Sequence, residues 1–263
     1  ILKHFSKLKK NSCQKLPCVL INHVIYMKKK YDVLNFSIIK FYFDKEIFKK
    51  ILKLGLPTGI QQALFSVGIM SLQSLVNSYG SDFMAGFNAA NKIDTFAFMP
   101  IQSFANAVTT FTGQNIGAGR MDRVHQGTIA ATIMSLAICV LALIIIPLGP
   151  FILRMFNSDP AVIDAGMIYL SNVMPLFILL AIVFTLNAVI RGAGESIIPM
   201  IGSLASIWAG RIPAAYYIAA NFGKEYLFYS YGVGWVLWLI ISGPYYLSGK
   251  WKTKSQEYLH DTK

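Results

Sequence analysis

Asp94 and Arg211 are charges set deep in apolar sequence: Asp94 follows Asp82 by twelve residues, and Arg211 precedes Gly223 by twelve. If Asp82 and Gly223 mark helix ends, both charges lie about 18 Å inward at 1.5 Å per helical residue. Two sets of polar residues accompany them. Gln62, Ser66, Gln73 and Asn77 recur at spacings of 4, 7 and 4; Asn88, Asn91, Thr95, Gln102, Asn106 and Thr109 repeat in the same way further on. Each set therefore shares one helix face. An unpaired amide in hydrocarbon is costly, so these faces are expected to meet protein or trapped water. They would wall a cavity or, alternatively, bond neighbouring helices together. For the two charges the options are a structural ion pair, Asp94 with Arg211 or with Lys92, or proton or cation coupling through Asp94.

Other chemistry finds little material. The stretch TTFTGQNIGAGRMDR (Thr109–Arg123) is glycine-rich, yet the third glycine of a dinucleotide fingerprint would fall on Asp122, and no window matches a P-loop. His4, His23, His125 and His260 lie in tails or loops, and no H-E-x-x-H or G-x-S-x-G occurs in an apolar run. Cys13, Cys18 and Cys139 give neither a disulfide framework nor a second pair of zinc ligands. No catalytic residue, resident metal or cofactor is expected, and the chain does not read as an enzyme.

The elements that must position these residues are apolar. The chain is 55% hydrophobic and 14% charged, with mean hydropathy +0.52, whereas soluble domains carry about 25% charged residues. Five charge-free runs reach the roughly 20 residues a spanning helix needs: Leu54–Ser81, Thr95–Gly119, Gln126–Leu153, Ala165–Ile190 and Tyr226–Gly249. Ser196–Phe222 has the same length around Arg211 and makes a sixth. The expected architecture is all-α, a bundle of six transmembrane helices over 54–249.

The net charge of +12 would suggest nucleic acid in a soluble protein, but its distribution excludes that reading. Thirteen of the Lys and Arg lie in residues 1–53 and four in 250–263. With six spans, both ends share one side with Arg120, Arg123 and Arg191, while the opposite loops carry only Arg154 and Lys224. The bias predicts a multi-pass protein of the cell membrane with both termini cytoplasmic. Before the first span, FDKEIFKKILKLGLP has Asp44 as a candidate N-cap, apolar Ile47, Phe48, Ile51 and Leu52 on one face, and lysines elsewhere. Such a helix suits the inner lipid surface, or a calmodulin-like partner as the alternative. The first residue is Ile, as expected of a chain that begins inside a longer reading frame. Residues 1–30 lack a signal-peptide layout.

Two corners repeat a tripeptide: GQNIGAGR ends the second run, and AVIRGAGES (Ala188–Ser196) ends the fourth. Together with LKLGLPTGIQQ (Leu52–Gln62), NKIDTFAFMP (Asn91–Pro100) and LNAVIRGAGES (Leu186–Ser196), they resemble the multidrug and toxic compound extrusion (MATE) family from about Val24 to the C-terminus. The resemblance implies one lobe, the second, of a twelve-helix transporter with a central cavity. Such a protein exports cationic and amphipathic compounds in exchange for H+ or Na+, and its N-terminal lobe would be a further partner. It also implies that 24–53 holds the remnant of a preceding helix and a linker, and that 250–263 is a basic cytoplasmic tail. Residues 1–23 fall outside the resemblance, as a frameshifted or truncated gene would leave them. Where some members carry an acidic residue after the LPxG turn, this chain reads QQALFSVG (Gln61–Gly68); where some carry another before the RG corner, it reads PLFILLAIVFTLNAV (Pro175–Val189). Neither has a carboxylate. The alternatives are a lipid-linked oligosaccharide flippase of the same superfamily, whose cavity would be strongly basic, and a non-transporting structural half-protein.

Overall fold

The computed structural model describes residues 45–252, and the elements within them are helical. The polypeptide divides into two compact units, 1–49 and 50–263; apart from the first five residues of its first helix, the structure described below belongs to the second. Expectations for Asp44, for the basic N-terminal segment and for 253–263 lie outside the described residues.

Helix α1 (Lys45–Asn77) runs through Pro57 without a break. Helix α2 (Ser81–Gly117) follows after a three-residue turn and is the longest element, at 37 residues. Its buried face is built from small side chains at helical spacing, Gly86, Ala89, Ala90, Ala97 and Ala105 among them. Small residues let backbones approach closely, so α2 can take α3 (Met121–Leu143), α5 (Pro160–Val173) and α6 (Phe177–Gly192) against it at once. Between α3 and α5 lies the short α4 (Ile145–Arg154), which splits the expected third run at Ile144. Asp159 caps α5 by accepting a 2.9 Å hydrogen bond from the Ala161 amide, and Pro160 occupies the first turn, where no donor is needed. A 3-10 turn at Met174–Leu176 joins α5 to α6 without interrupting the 33-residue apolar span Pro160–Gly192.

The span around Arg211 is not one regular helix. It comprises α7 (Ile197–Ala205), a π-helical stretch at Ser206–Arg211 and α8 (Ile212–Asn221). Pro213 has no N–H to give to the carbonyl four residues earlier, so the preceding turn has reason to widen. A 3-10 segment (Lys224–Tyr229) then leads into α9 (Ser230–Leu247).

Among the described residues five helical segments are long and apolar enough to cross a membrane: Gly55–Asn77, Met121–Leu143, Pro160–Gly192, Ile197–Asn221 and Lys224–Leu247. The expected second span falls in α2, which is not one of the five; its amides and charges reduce its hydropathy while its length exceeds theirs. The all-α membrane bundle is therefore present, with α2 in the middle of the packing.

The two GAG corners have the same geometry. Gly119 and Gly194 adopt φ of 71° and 87°, which costs a side-chain-bearing residue but not glycine. At the first corner the Arg120 amide donates to Asn115 C=O (2.8 Å) and Gly119 to Ile116 C=O (2.9 Å). At the second, Glu195 donates to Ile190 C=O (3.2 Å) and Gly194 to Arg191 C=O (2.9 Å). Both are Schellman ends, which satisfy the last carbonyls of α2 and α6.

Candidate functional site

One crossing places the first half of the site. A Cβ on Gly86 of α2 would lie 2.4 Å from the Val162 carbonyl oxygen, and one on Gly166 of α5 would lie 3.2 Å from the Gly86 oxygen. Backbones this close require glycine on both helices, and they bring Tyr169, one turn along α5, against the α2 face that carries Asn91 and Asp94. The Tyr169 hydroxyl lies 3.2 Å from Asp94 Oδ2 and 3.3 Å from Asn91 Oδ1. It has one proton to share between these acceptors. Asn91 is fixed from its other end, donating from Nδ2 to the Phe87 carbonyl at 3.1 Å.

A second crossing places the other half. A Cβ on Gly234 of α9 would fall 2.8 Å from the Ser206 carbonyl oxygen and 3.3 Å from Arg211 Cβ, while one on Gly210 would fall 3.0 Å from Gly234 Cα. The π-helical turn thus rests directly on α9, and Arg211 sets its guanidinium 3.0 Å from the centroid of the Tyr231 ring. A ring face offsets part of a cation's charge. Tyr231 in turn meets Tyr169 edge-on at 5.8 Å between centroids. Phe87 and Phe228, stacked at 5.6 Å, pack against the same tyrosine.

Between these halves is a cavity of about 380 Å3, within the size range of small-molecule sites. Gln73, Asn88, Asn91, Asp94, Tyr169, Ser206 and Arg211 supply its polar wall; phenylalanines together with Trp235 and Trp238 supply most of the rest. Asp94 and Arg211 share the cavity without bonding to each other. Asp94 Oδ1 and Arg211 Nε are both buried and have no hydrogen-bond partner among the described residues. The expected alternative partner, Lys92, is exposed and lies over the Phe156 ring at 5.6 Å.

The structure separates the other sequence-derived candidates. On α2, Asn88 and Asn91 face the main cavity, whereas Gln102, Asn106 and Thr109 line a second one of about 50 Å3 with Asn187, Arg191 and Trp238. Thr95 is exposed and donates to the Asn91 carbonyl at 2.9 Å. On α1 only Gln73 reaches the main cavity; Gln62, Ser66 and Asn77 are exposed, and Ser66 donates to the Gln62 carbonyl at 3.0 Å. The buried amide of α1 is instead Gln61, which donates to Ser203 Oγ at 2.7 Å. Sequence reasoning missed Gln61, Tyr169, Tyr231, Trp235 and Trp238. For Tyr169 the available signal was its hydroxyl, which when buried calls for a partner; Trp238 Nε1, by contrast, is buried without one among the described residues.

Comparison with known proteins places the fold. The MatE family matches residues 57–217. The probable multidrug resistance protein YpnP of Bacillus subtilis (strain 168) is 32% identical over 203 residues, 77% of this chain and 46% of that protein. The probable multidrug resistance protein NorM of Thermotoga maritima is 30% identical over 212 residues, 79% of this chain and 45% of that protein. Among solved structures, a crystal structure of MATE in complex with MaL6 superposes with a TM-score of 0.79 at 18% identity, covering 90% of this chain and 54% of its own. An outward-facing multidrug resistance MATE transporter of the MOP superfamily gives 0.78 at 20% identity, with coverage of 90% and 54%. At those identities the likeness is one of fold. The chain spans about half the length of the curated relatives it matches.

Proposed function

As this chain belongs to the MatE family, we propose that it forms one lobe of a multidrug exporter that exchanges amphipathic or cationic compounds for H+ or Na+ by alternating access. The observation that carries the reading is the 380 Å3 cavity, in which one carboxylate, three amides and an aromatic wall converge. Aromatic faces suit apolar and cationic rings alike, and Asp94 supplies the negative charge to which a proton or cation can couple. Gln73, Asn88 and Asn91 line the compound's path at the main cavity; Gln102 and Asn106 extend it toward the inner end of α6. In this reading both termini are cytoplasmic, the helix at the start of α1 lies on the inner lipid surface, and residues 54–249 are the lobe.

Transport by such a protein needs a second lobe against which this one can rock, so the chain alone is expected to be inactive. The N-terminal halves of YpnP and of Thermotoga maritima NorM are the natural donors. A chimaera carrying this chain after either half should export ethidium from proteoliposomes under an imposed Na+ or pH gradient, and the chain alone should not. A chimaera that inserts, stays monodisperse and does not export in either ion would overturn the proposal. The flippase alternative is less well supported, because Arg211 is the only basic residue among the described residues that line the main cavity.

A further inference from the structure

The smaller cavity, about 50 Å3 between α2, α6 and α9, is built at a third close crossing. A Cβ on Gly192 of α6 would lie 2.5 Å from the Thr109 carbonyl oxygen and 2.7 Å from Thr112 Cβ, so glycine lets the end of α6 rest directly on α2. Side chains on a helix lean toward its N-terminus; Arg191 accordingly turns back from the corner and lines the cavity with Gln102 and Asn106 of α2. Two polar neighbours are already bonded. Thr109 Oγ1 donates to the Ala105 and Ala188 carbonyls at 3.1 and 3.2 Å, while Asn187 donates to the Val183 carbonyl at 2.7 Å and accepts from Ser242 Oγ at 3.0 Å. The side chains of Gln102, Asn106 and Arg191, by contrast, have no hydrogen-bond or ion-pair partner among the described residues. None of the described lining residues is acidic, and Glu195 of the adjoining corner accepts from the Ile197 amide at 2.8 Å. An arginine in the last turn of a helix ordinarily offsets the helix dipole; that role needs neither the cavity nor the two amides.

We propose that this smaller cavity is an oxyanion site that takes a phosphate group, with Arg191 supplying the charge and Gln102 and Asn106 the neutral donors. One guanidinium and two side-chain amides without a carboxylate give the site a positive charge and an excess of N–H groups. Drug-sized compounds need pockets of roughly 300 Å3 or more, so a space of about 50 Å3 admits only a single small head group. A carboxylate presents two oxygens in one plane, which the guanidinium fork alone engages. Phosphate has further oxygens for the amides, which approach from another helix. A ligand can reach all three residues: Gln102 and Asn106 are exposed, and Arg191 is half-buried. In the proposed orientation the site lies toward the cytoplasmic end of α6, where basic pockets between helices meet lipid head groups and soluble phosphates are at hand. Phe184 and Trp238, 5.7 Å apart between centroids, line both cavities. The site is thus distinct from the main cavity, and the inference does not depend on what the main cavity carries.

Two radiolabelled probes, inorganic phosphate and phosphatidylglycerol, test this on the full chain in maltoside micelles, each in excess chloride to screen non-specific attraction. Saturable binding of at least one probe is expected. Binding of inorganic phosphate would assign the site to a soluble anion; binding of phosphatidylglycerol alone would assign it to a lipid head group. Arg191→Gln should weaken the bound probe's affinity by about tenfold or more, as loss of a charge-assisted hydrogen bond implies. Asn106→Ala should weaken it by about fivefold, the effect of one ordinary hydrogen bond. Saturable binding of neither probe, or an affinity unchanged by Arg191→Gln, would overturn the proposal. Should Arg191→Gln fail to fold, Asn106→Ala, an exchange at an exposed position, decides in its place, and an unchanged affinity there would overturn the proposal equally.

Discussion

Asp94 and Arg211 line the same cavity and are connected through two tyrosines: Asp94 accepts from the Tyr169 hydroxyl at 3.2 Å, Tyr169 meets Tyr231 edge-on at 5.8 Å, and Arg211 lies 3.0 Å from the Tyr231 centroid. Matched depth in sequence suggested a direct ion pair. No hydrogen bond joins the two side chains among the described residues, and Asp94 Oδ1 and Arg211 Nε are buried without partners.

The first prediction is energetic. Breaking a direct buried ion pair costs about 3–5 kcal/mol because a charge is stranded. Here Asp94 is already short of one hydrogen bond, so Asp94→Asn should leave the melting temperature unchanged or raised. In a double-mutant cycle with Arg211→Gln, the coupling energy should stay below about 1 kcal/mol. Tyr169→Phe, by contrast, removes the hydroxyl that donates to Asp94 and should destabilise by about 1–3 kcal/mol. A coupling of about 3 kcal/mol or more would restore the direct pair.

The crossings themselves are testable by adding one methyl group. Gly86→Ala would push Cβ to 2.4 Å from the Val162 carbonyl oxygen, so it should cost about 1–3 kcal/mol in thermal stability. Gly59→Ala is the matched control: a Cβ there meets nothing within 4 Å. In a helix interior that exchange should stabilise by roughly 0.5–1 kcal/mol. Equal effects at the two sites would contradict the packing described.

The corner glycines make a narrower prediction. Gly119→Ala meets no steric obstacle within 4 Å, but its φ is +71°. The expected loss is therefore about 1–2 kcal/mol from backbone conformation alone. Gly119→Asn should recover part of it, since Asn tolerates the left-handed region better than Ala does. Identical melting temperatures for the two variants would rule out the conformational cause.

The proposed orientation rests on charge. With the basic ends and Arg120, Arg123 and Arg191 on one side, a single cysteine at Ser158 should react with an impermeant maleimide from outside intact cells, and one at Gln126 only after permeabilisation, both in a background lacking the three native cysteines. The reverse pattern would invert the topology.

Much of the fold was legible because hydropathy and glycine chemistry are local. The apolar runs became helices, and the paired GAG tripeptides became Schellman ends. The number of apolar spans was less legible at α2, where the same polar residues that mark a cavity also lower hydropathy. Periodicity located the polar face of α2, since Asn88, Asn91, Gln102, Asn106 and Thr109 all reach a cavity. On α1 it chose a face rotated by about one residue, roughly 100° of helix: Gln61 is buried, and Gln62 is exposed. A polar stripe tells that a face needs a partner, but not which neighbour supplies it. Tyr169 and Tyr231 escaped because tyrosine within an apolar run reads as another hydrophobe. The widened turn at Arg211 had one visible cause, Pro213, whose missing N–H acts on the turn before it rather than at its own position.

Whether Asp94 couples transport is decided by ion-driven export from a two-lobed chimaera, compared with the same chimaera bearing Asp94→Asn. Ethidium efflux is followed in proteoliposomes with a Na+ or pH gradient imposed or dissipated. Gradient-dependent efflux is expected with Asp94 in place. Asp94→Asn should then reduce that gradient dependence by about tenfold or more, the effect expected when a single coupling charge is lost, with protein stability retained. Efflux that keeps its full gradient dependence in the Asp94→Asn chimaera would contradict it.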